Sequence, residues 1–162
     1  MSKTSYPECI AELYSSEVLG EALMLELLRH STDDEPRYKW GTLLQLESET
    51  KARLRPFLAK YGMSLLEEDV SAIVENLGKV YKSSSWAEFA EKNRKIVSSF
   101  VTRFEEIEKL GPPEDAQILH SMVVHERSIL KFFELELAGK PKGSLSAVID
   151  QLHYPLPNPN NY

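Results

Sequence analysis

The chain predicts an all-α fold of four long helices in two antiparallel pairs, and three observations carry that prediction. Apolar residues recur at helical spacing through four long stretches. Serine-led capping boxes and proline–glycine punctuation mark where those stretches start and stop. No stretch alternates apolar and polar residues in the way a half-buried strand requires.

The first helix is announced by Ser5-Tyr6-Pro7-Glu8, a capping box with proline in the first turn, and its inward face reads Ile10, Leu13, Glu17, Glu21, Met24 and Leu28. It should end near His30 to Thr32, where Asp33 or Asp34 caps a second helix with Pro36 in its first turn. That helix turns Trp40, Leu43, Leu44, Glu47, Thr50, Leu54, Phe57 and Leu58 inward, kinks at Pro56 and stops at Gly62. A second capping box, Ser64 to Glu67, predicts a shorter helix carrying Val70, Ile73, Val74 and Leu77 within a crossover of roughly twenty residues. A third box, Ser85 to Glu88, opens a long helix with Phe89, Asn93, Ile96, Phe100, Phe104 and Ile107 facing inward, closed by Gly111-Pro112-Pro113. The last long helix spans Pro113 to Gly139, with Ile118, Met122, Ile129 and Phe133 in its apolar stripe and His125 and Glu126 at its centre. A short helical segment, Ser144 to Leu152, precedes an extended proline-rich tail.

At 162 residues this makes one domain, residues 1–152, followed by a tail over 153–162. No apolar run approaches the ~20 residues needed to span a membrane, and the amino terminus lacks a secretory pattern, so a cytoplasmic location is expected. A net charge of −6, with basic residues interleaved among acids, argues against nucleic-acid binding. Cys9 is the only cysteine, which excludes an internal disulfide. Nucleotide-binding loops and a nucleophile elbow are absent, and His125-Glu126 lacks the second histidine of a zinc-protease motif.

Three inward positions stand out, Glu17, Glu47 and the His125-Glu126 pair, since a carboxylate inside an apolar bundle is costly unless it is paired, hydrogen-bonded or metal-bound. In these residues the chain resembles the ferritin-like superfamily, in particular its short rubrerythrin-type members, across the four long helices. The resemblance implies a four-helix bundle with one long crossover, holding two iron or manganese ions between a lone Glu on one helix of each pair and Glu-x-x-His on the other. Glu17 in SSEVLGEAL then takes the place of the first lone Glu, and Glu47 in LLQLESETKARL opens a motif whose histidine position holds Thr50. In the second pair Asn93 stands for the lone Glu, and Met122 replaces the Glu that precedes His125. Glu21 and Glu126 are candidates to complete the thinned set.

Two functional readings follow. One is an iron- or manganese-binding protein acting in oxygen or redox chemistry. The other is a metal-free homodimeric interaction protein whose tail straps a partner and whose Glu17 and Glu47 accept hydrogen bonds from Thr50, Asn93 or Tyr14, or pair with His125. The missing ligands favour the metal-free state. A third reading places a small apolar ligand in the aromatic-lined centre, with Glu47 and His125 as its polar contacts.

Overall fold

The computed structural model describes residues 5–158, whose regular elements are all helices, with no strand among them. Helix α1 spans Tyr6–Arg29 and α2 spans Asp34–Lys60; α3 covers Ser71–Ser83, α4 Trp86–Leu110, α5 Ala116–Leu137 and α6 Ser146–Ile149. None of the described helices is long and apolar enough to cross a membrane. The amino terminus of α1 is held by its capping box, in which the Ser5 N–H donates to Glu8 Oε2 at 2.6 Å. Helix α2 continues through Pro56, where Pro56 and Ala52, the residue whose carbonyl loses its partner, are both exposed, so water can serve that carbonyl. Gly62 then turns the chain at φ +65°, with the Met63 N–H donating to Leu58 O at 3.0 Å and the Gly62 N–H to Ala59 O at 3.1 Å. That is the paired-bond stop in which a left-handed residue serves the last carbonyls.

The connection to α3 departs from the sequence expectation. Ser64 to Glu67 opens no helix, because Glu67 does not return to the Ser64 N–H: it accepts from Tyr14 Oη at 3.0 Å and pairs with Lys51 Nζ at 2.9 Å. Tertiary partners have outbid a local cap. Helix α3 begins only at Ser71, whose N–H donates to Asp69 Oδ1 at 2.9 Å. On α4 the buried stripe is Phe89, Ala90, Val97, Phe104 and Ile107, while Ile96 is 39% exposed and Asn93 and Phe100 are half-buried. A stripe through 90, 97 and 104 follows a seven-residue repeat, which puts Ile96 one position off the seam. A single 3₁₀ turn at Pro113–Asp115 delays α5 to Ala116, and α6 is shorter than the expected segment.

Helix α1 packs chiefly on α2, and α4 on α5, and these two hairpins meet through α1 with α4 and α2 with α5. Helix α3 lies on α1, and α6 lies against α5 and α2. The described part of the tail lies on its own α2. Glu49 accepts the N–H groups of His153 and Tyr154 at 2.8 and 3.0 Å, and Leu156 reaches Gly41. Residues 159–162 of the expected tail lie outside the described residues.

Two apolar clusters make the core. One gathers Leu13, Leu54, Phe57, Phe104 and Val123; the other gathers Met24, Trp40, Leu46, Phe89, Ile129 and Phe132. Along α2 and α5 the boundary between them falls at Glu47 and Thr50 and at His125 and Glu126, and on α1 it falls between Val18 and Leu23, just past Glu17. A polar layer therefore divides the core.

Beyond the first cluster, the buried Asp115 carboxylate ties three elements together. It accepts from Tyr6 Oη at 3.0 Å, from Tyr61 Oη, and from Lys60 Nζ at 2.5 Å. Burial alone raises its pKa, but these donors outweigh it and hold the group below the ordinary aspartate range. Asp115→Asn should lower the unfolding free energy by about 1–3 kcal/mol at neutral pH, measured by denaturant titration. Because the folded-state pKa is depressed, this stabilisation is complete above about pH 4 and is lost as pH falls through the folded value. The gap between variant and parent should therefore close in acid.

Candidate functional site

The polar layer is assembled from three helices that each contribute one or two side chains. Helix α1 supplies Glu17, α2 supplies Glu47 and Thr50, and α5 supplies His125 and Glu126. Burial is nearly complete: Glu17 and His125 are 0% exposed, Glu47 4% and Glu126 6%. Glu17, His125 and Glu126 each offer a donor atom, and the three atoms lie within 4.8 Å of one another. Glu47 adjoins this group, with its Oε2 3.6 Å from His125 Nε2. Adjacent residues on a helix diverge by about 100°, so His125 and Glu126 face the same layer only because it is wide enough to receive both.

Gly20 makes room for Glu47. A Cβ on Gly20 would lie 2.5 Å from Glu47 Oε2 and 2.6 Å from its carboxyl carbon, so the carboxylate rests directly on the α1 backbone. A helix-interior glycine costs roughly 1 kcal/mol against alanine, and here the close approach accounts for it.

The partners of these groups are few. Thr50 Oγ1 lies 3.2 Å from His125 Nδ1 and also accepts from the Arg53 guanidinium at 3.3 Å. Its single hydroxyl proton can point to Nδ1, or Nδ1–H can donate to the oxygen, so Thr50 serves either histidine tautomer. On the other ring face of this arrangement, Nε2 is 3.3 Å from Glu17 Oε2, a separation that supports attraction without a directed hydrogen bond. Glu17 Oε1, Glu17 Oε2 and His125 Nε2 are buried and have no hydrogen-bond partner among the described residues.

The donors that the metal-free reading assigned to Glu17 and Glu47 are committed elsewhere. Thr50 serves His125; Asn93 Nδ2 donates to Phe89 O at 2.8 Å; Tyr14 Oη donates to Glu67. Of that scheme only the approach of His125 remains. Burial, then the charges of Glu47 and Glu126, push the Glu17 carboxyl far above its ordinary range. Glu126 is pushed up to about 8, chiefly by burial, with His125 opposing. For His125 burial works downward, but the neighbouring Glu47 and Glu126 prevail and the imidazole is raised.

Glu21 does not join the layer. Its carboxylate is held by Ser48 Oγ at 2.5 Å and by Lys51 Nζ. Met122 is buried in the first apolar cluster, and Asn93 borders a cavity beside the layer. Gly20 and Arg53 were not singled out from sequence. A glycine inside an otherwise unbroken helical stripe, one turn from Glu17, was the available signal for the first; nothing in the sequence pointed to the second. Compared with known families, characterised proteins and solved structures, the chain matches no family model, no curated protein and no solved structure.

The buried carboxyl of Glu126 yields a pH prediction. A folded pKa of about 8 against an unfolded value near ~4.3 means the folded state binds the extra proton, so stability declines as pH rises between those values and levels off above about 8. In metal-free protein, Glu126→Gln should therefore be the more stable form at pH 8, by on the order of 2 kcal/mol, and the advantage should vanish near pH 4. Chemical denaturation across that range measures it.

Proposed function

We propose that the chain is a ferritin-like four-helix bundle protein whose central layer binds one divalent metal ion of the iron–manganese class. The observation that carries this reading is the convergence of unpartnered, fully buried donor atoms: both Glu17 oxygens and His125 Nε2, with a Glu126 carboxyl in the same group. A buried carboxylate without a donor costs several kcal/mol, and only a proton or a cation can offset that in a site without other donors. Carboxylate oxygens and one imidazole form a donor set suited to manganese or ferrous iron rather than to a thiophilic ion.

Four donors from three helices suit one ion. The positions that a dinuclear pattern needs are Thr50, Asn93 and Met122, none of which carries a carboxylate or imidazole. Glu17, His125 and Glu126 would hold the ion, and Glu47, propped on Gly20, would complete the set or accept from a ligand beside it. A bound iron or manganese ion supplies redox chemistry with oxygen species. The chain's own contribution is positional. When Nε2 is a ligand, Nδ1 must bear the proton, and Thr50 Oγ1 is placed to accept it; this orients the ring and fixes its tautomer. Arg53 donates to Thr50 and sets a positive charge near enough to act on Glu17.

Protein purified anaerobically with iron or manganese supplied should contain about one equivalent per chain, and Glu17→Ala should fall below about a tenth. A parent protein already below that level, unchanged by Glu17→Ala, overturns the reading. Since binding must displace protons from the carboxyl groups, manganese affinity should rise as pH rises from about 6 to 8.5. Thr50→Val keeps every ligand and should weaken binding about 10- to 100-fold. Isothermal titration of the metal-free protein measures both.

A further inference from the structure

Beside the polar layer lies a partly open cavity of about 120 Å³, lined mainly by α1, α4 and α5, with Glu47 of α2 and Leu77 of α3. Leu23, Phe89, Val97, Ile129 and Phe133 are among its walls, and among the described residues Glu47 and Glu126 are the carboxylates that line it. From sequence, Asn93 was placed on the inward stripe of α4; in the structure it borders this space with its amide turned back onto the Phe89 carbonyl. The wall is therefore apolar up to the point where it meets the two acids.

We propose that this cavity is the binding chamber for a small, uncharged, apolar substrate of the central site, an inference that rests on the metal-binding reading above. Size limits the occupant: an engineered apolar cavity of ~150 Å³ takes up benzene or xenon, so about 120 Å³ admits roughly six non-hydrogen atoms. Charge limits it further. Among the described residues no Lys, Arg or His lines the cavity, whereas Glu47 and Glu126 do, so an anionic head group meets acids and finds no basic side chain. Position indicates the role. Glu47 and Glu126 are 4% and 6% exposed, so the cavity reaches the buried layer, whereas a macromolecule could cover only its rim, where Ile96 and the half-buried Leu19 and Phe100 lie. Small-molecule sites have this composition, largely apolar with few converging polar groups.

The test uses benzene, with benzoate as the anionic control, on full-length protein with and without Mn(II). Benzene should bind saturably, benzoate at least about tenfold more weakly, and Mn(II) should broaden the proton resonance of bound benzene by paramagnetic relaxation. Val97→Phe should fill the chamber and weaken benzene at least about tenfold. Leu23→Phe, closer to the rim, provides the same test should Val97→Phe fail to fold. Stoichiometric Mn(II) with no saturable benzene, with unchanged affinity in the filled variants, or with no paramagnetic broadening overturns the chamber and leaves the metal reading standing. Benzene binding without any Mn(II) uptake overturns both the metal reading and the assignment of the cavity to it.

Discussion

Taking carboxylates out of water is the constraint around which this molecule is built. Asp115 and Glu136, buried acids outside the central layer, are well supplied with donors: Asp115 by two tyrosines and Lys60, Glu136 by Ser144 and Lys39. Glu17 is more deeply buried than either and has none. The same chain that satisfies its peripheral acids leaves its central one unserved, and does so where two further carboxylates and an imidazole approach. Such a layer destabilises the apo fold, because each acid must either hold a proton or keep an uncompensated charge. The apolar clusters on either side have to hold the helices in register against that penalty.

The supports around the layer are consistent with a position being maintained rather than merely tolerated. Gly20 surrenders helix propensity to admit the Glu47 carboxylate. Thr50 Oγ1 lies within hydrogen-bond distance of His125 Nδ1 and so orients the imidazole. Glu21 is the nearest spare acid on α1, but Ser48 and Lys51 draw it away, so it adds no charge to the centre. The Lys51 that holds Glu21 also holds Glu67, which links the α1–α2 hairpin to the crossover segment.

Most of the helical frame was legible in the sequence because its signals are local. Ser5 and Ser85 cap as their boxes indicate, and Gly62 stops α2. Ser64 failed as a cap for a reason no local pattern contains: its would-be partner Glu67 is occupied by Tyr14 and Lys51, residues brought near only by the tertiary fold. Ile96 was placed inward by counting turns from Phe89, whereas the seam follows a seven-residue repeat through Val97. At the centre, the inward stripes of α1, α2 and α5 identified Glu17, Glu47 and His125, but hydrogen-bond satisfaction is a property of coordinates. Thr50, Asn93 and Tyr14 looked available as donors in sequence, and each is committed to another group in space.

The thinning of the ligand set has a spatial counterpart. On the ferritin-like reading, α4 is the helix that should donate a carboxylate near Asn93 and does not, and α4 is also the helix that walls the cavity with Phe89, Val97 and Phe100. Restoring a carboxylate there would place a charge against a largely apolar wall. On that reading, the missing ligand on α4 and the apolar cavity wall are one feature seen from two sides, because an α4 face without charge favours apolar occupancy of that space. The candidate ligands sit on α1, α2 and α5, the three helices that supply the layer. The metal reading and the cavity reading are therefore mutually consistent: on them, the substituted position on α4 would shape access to a single ion instead of binding a second.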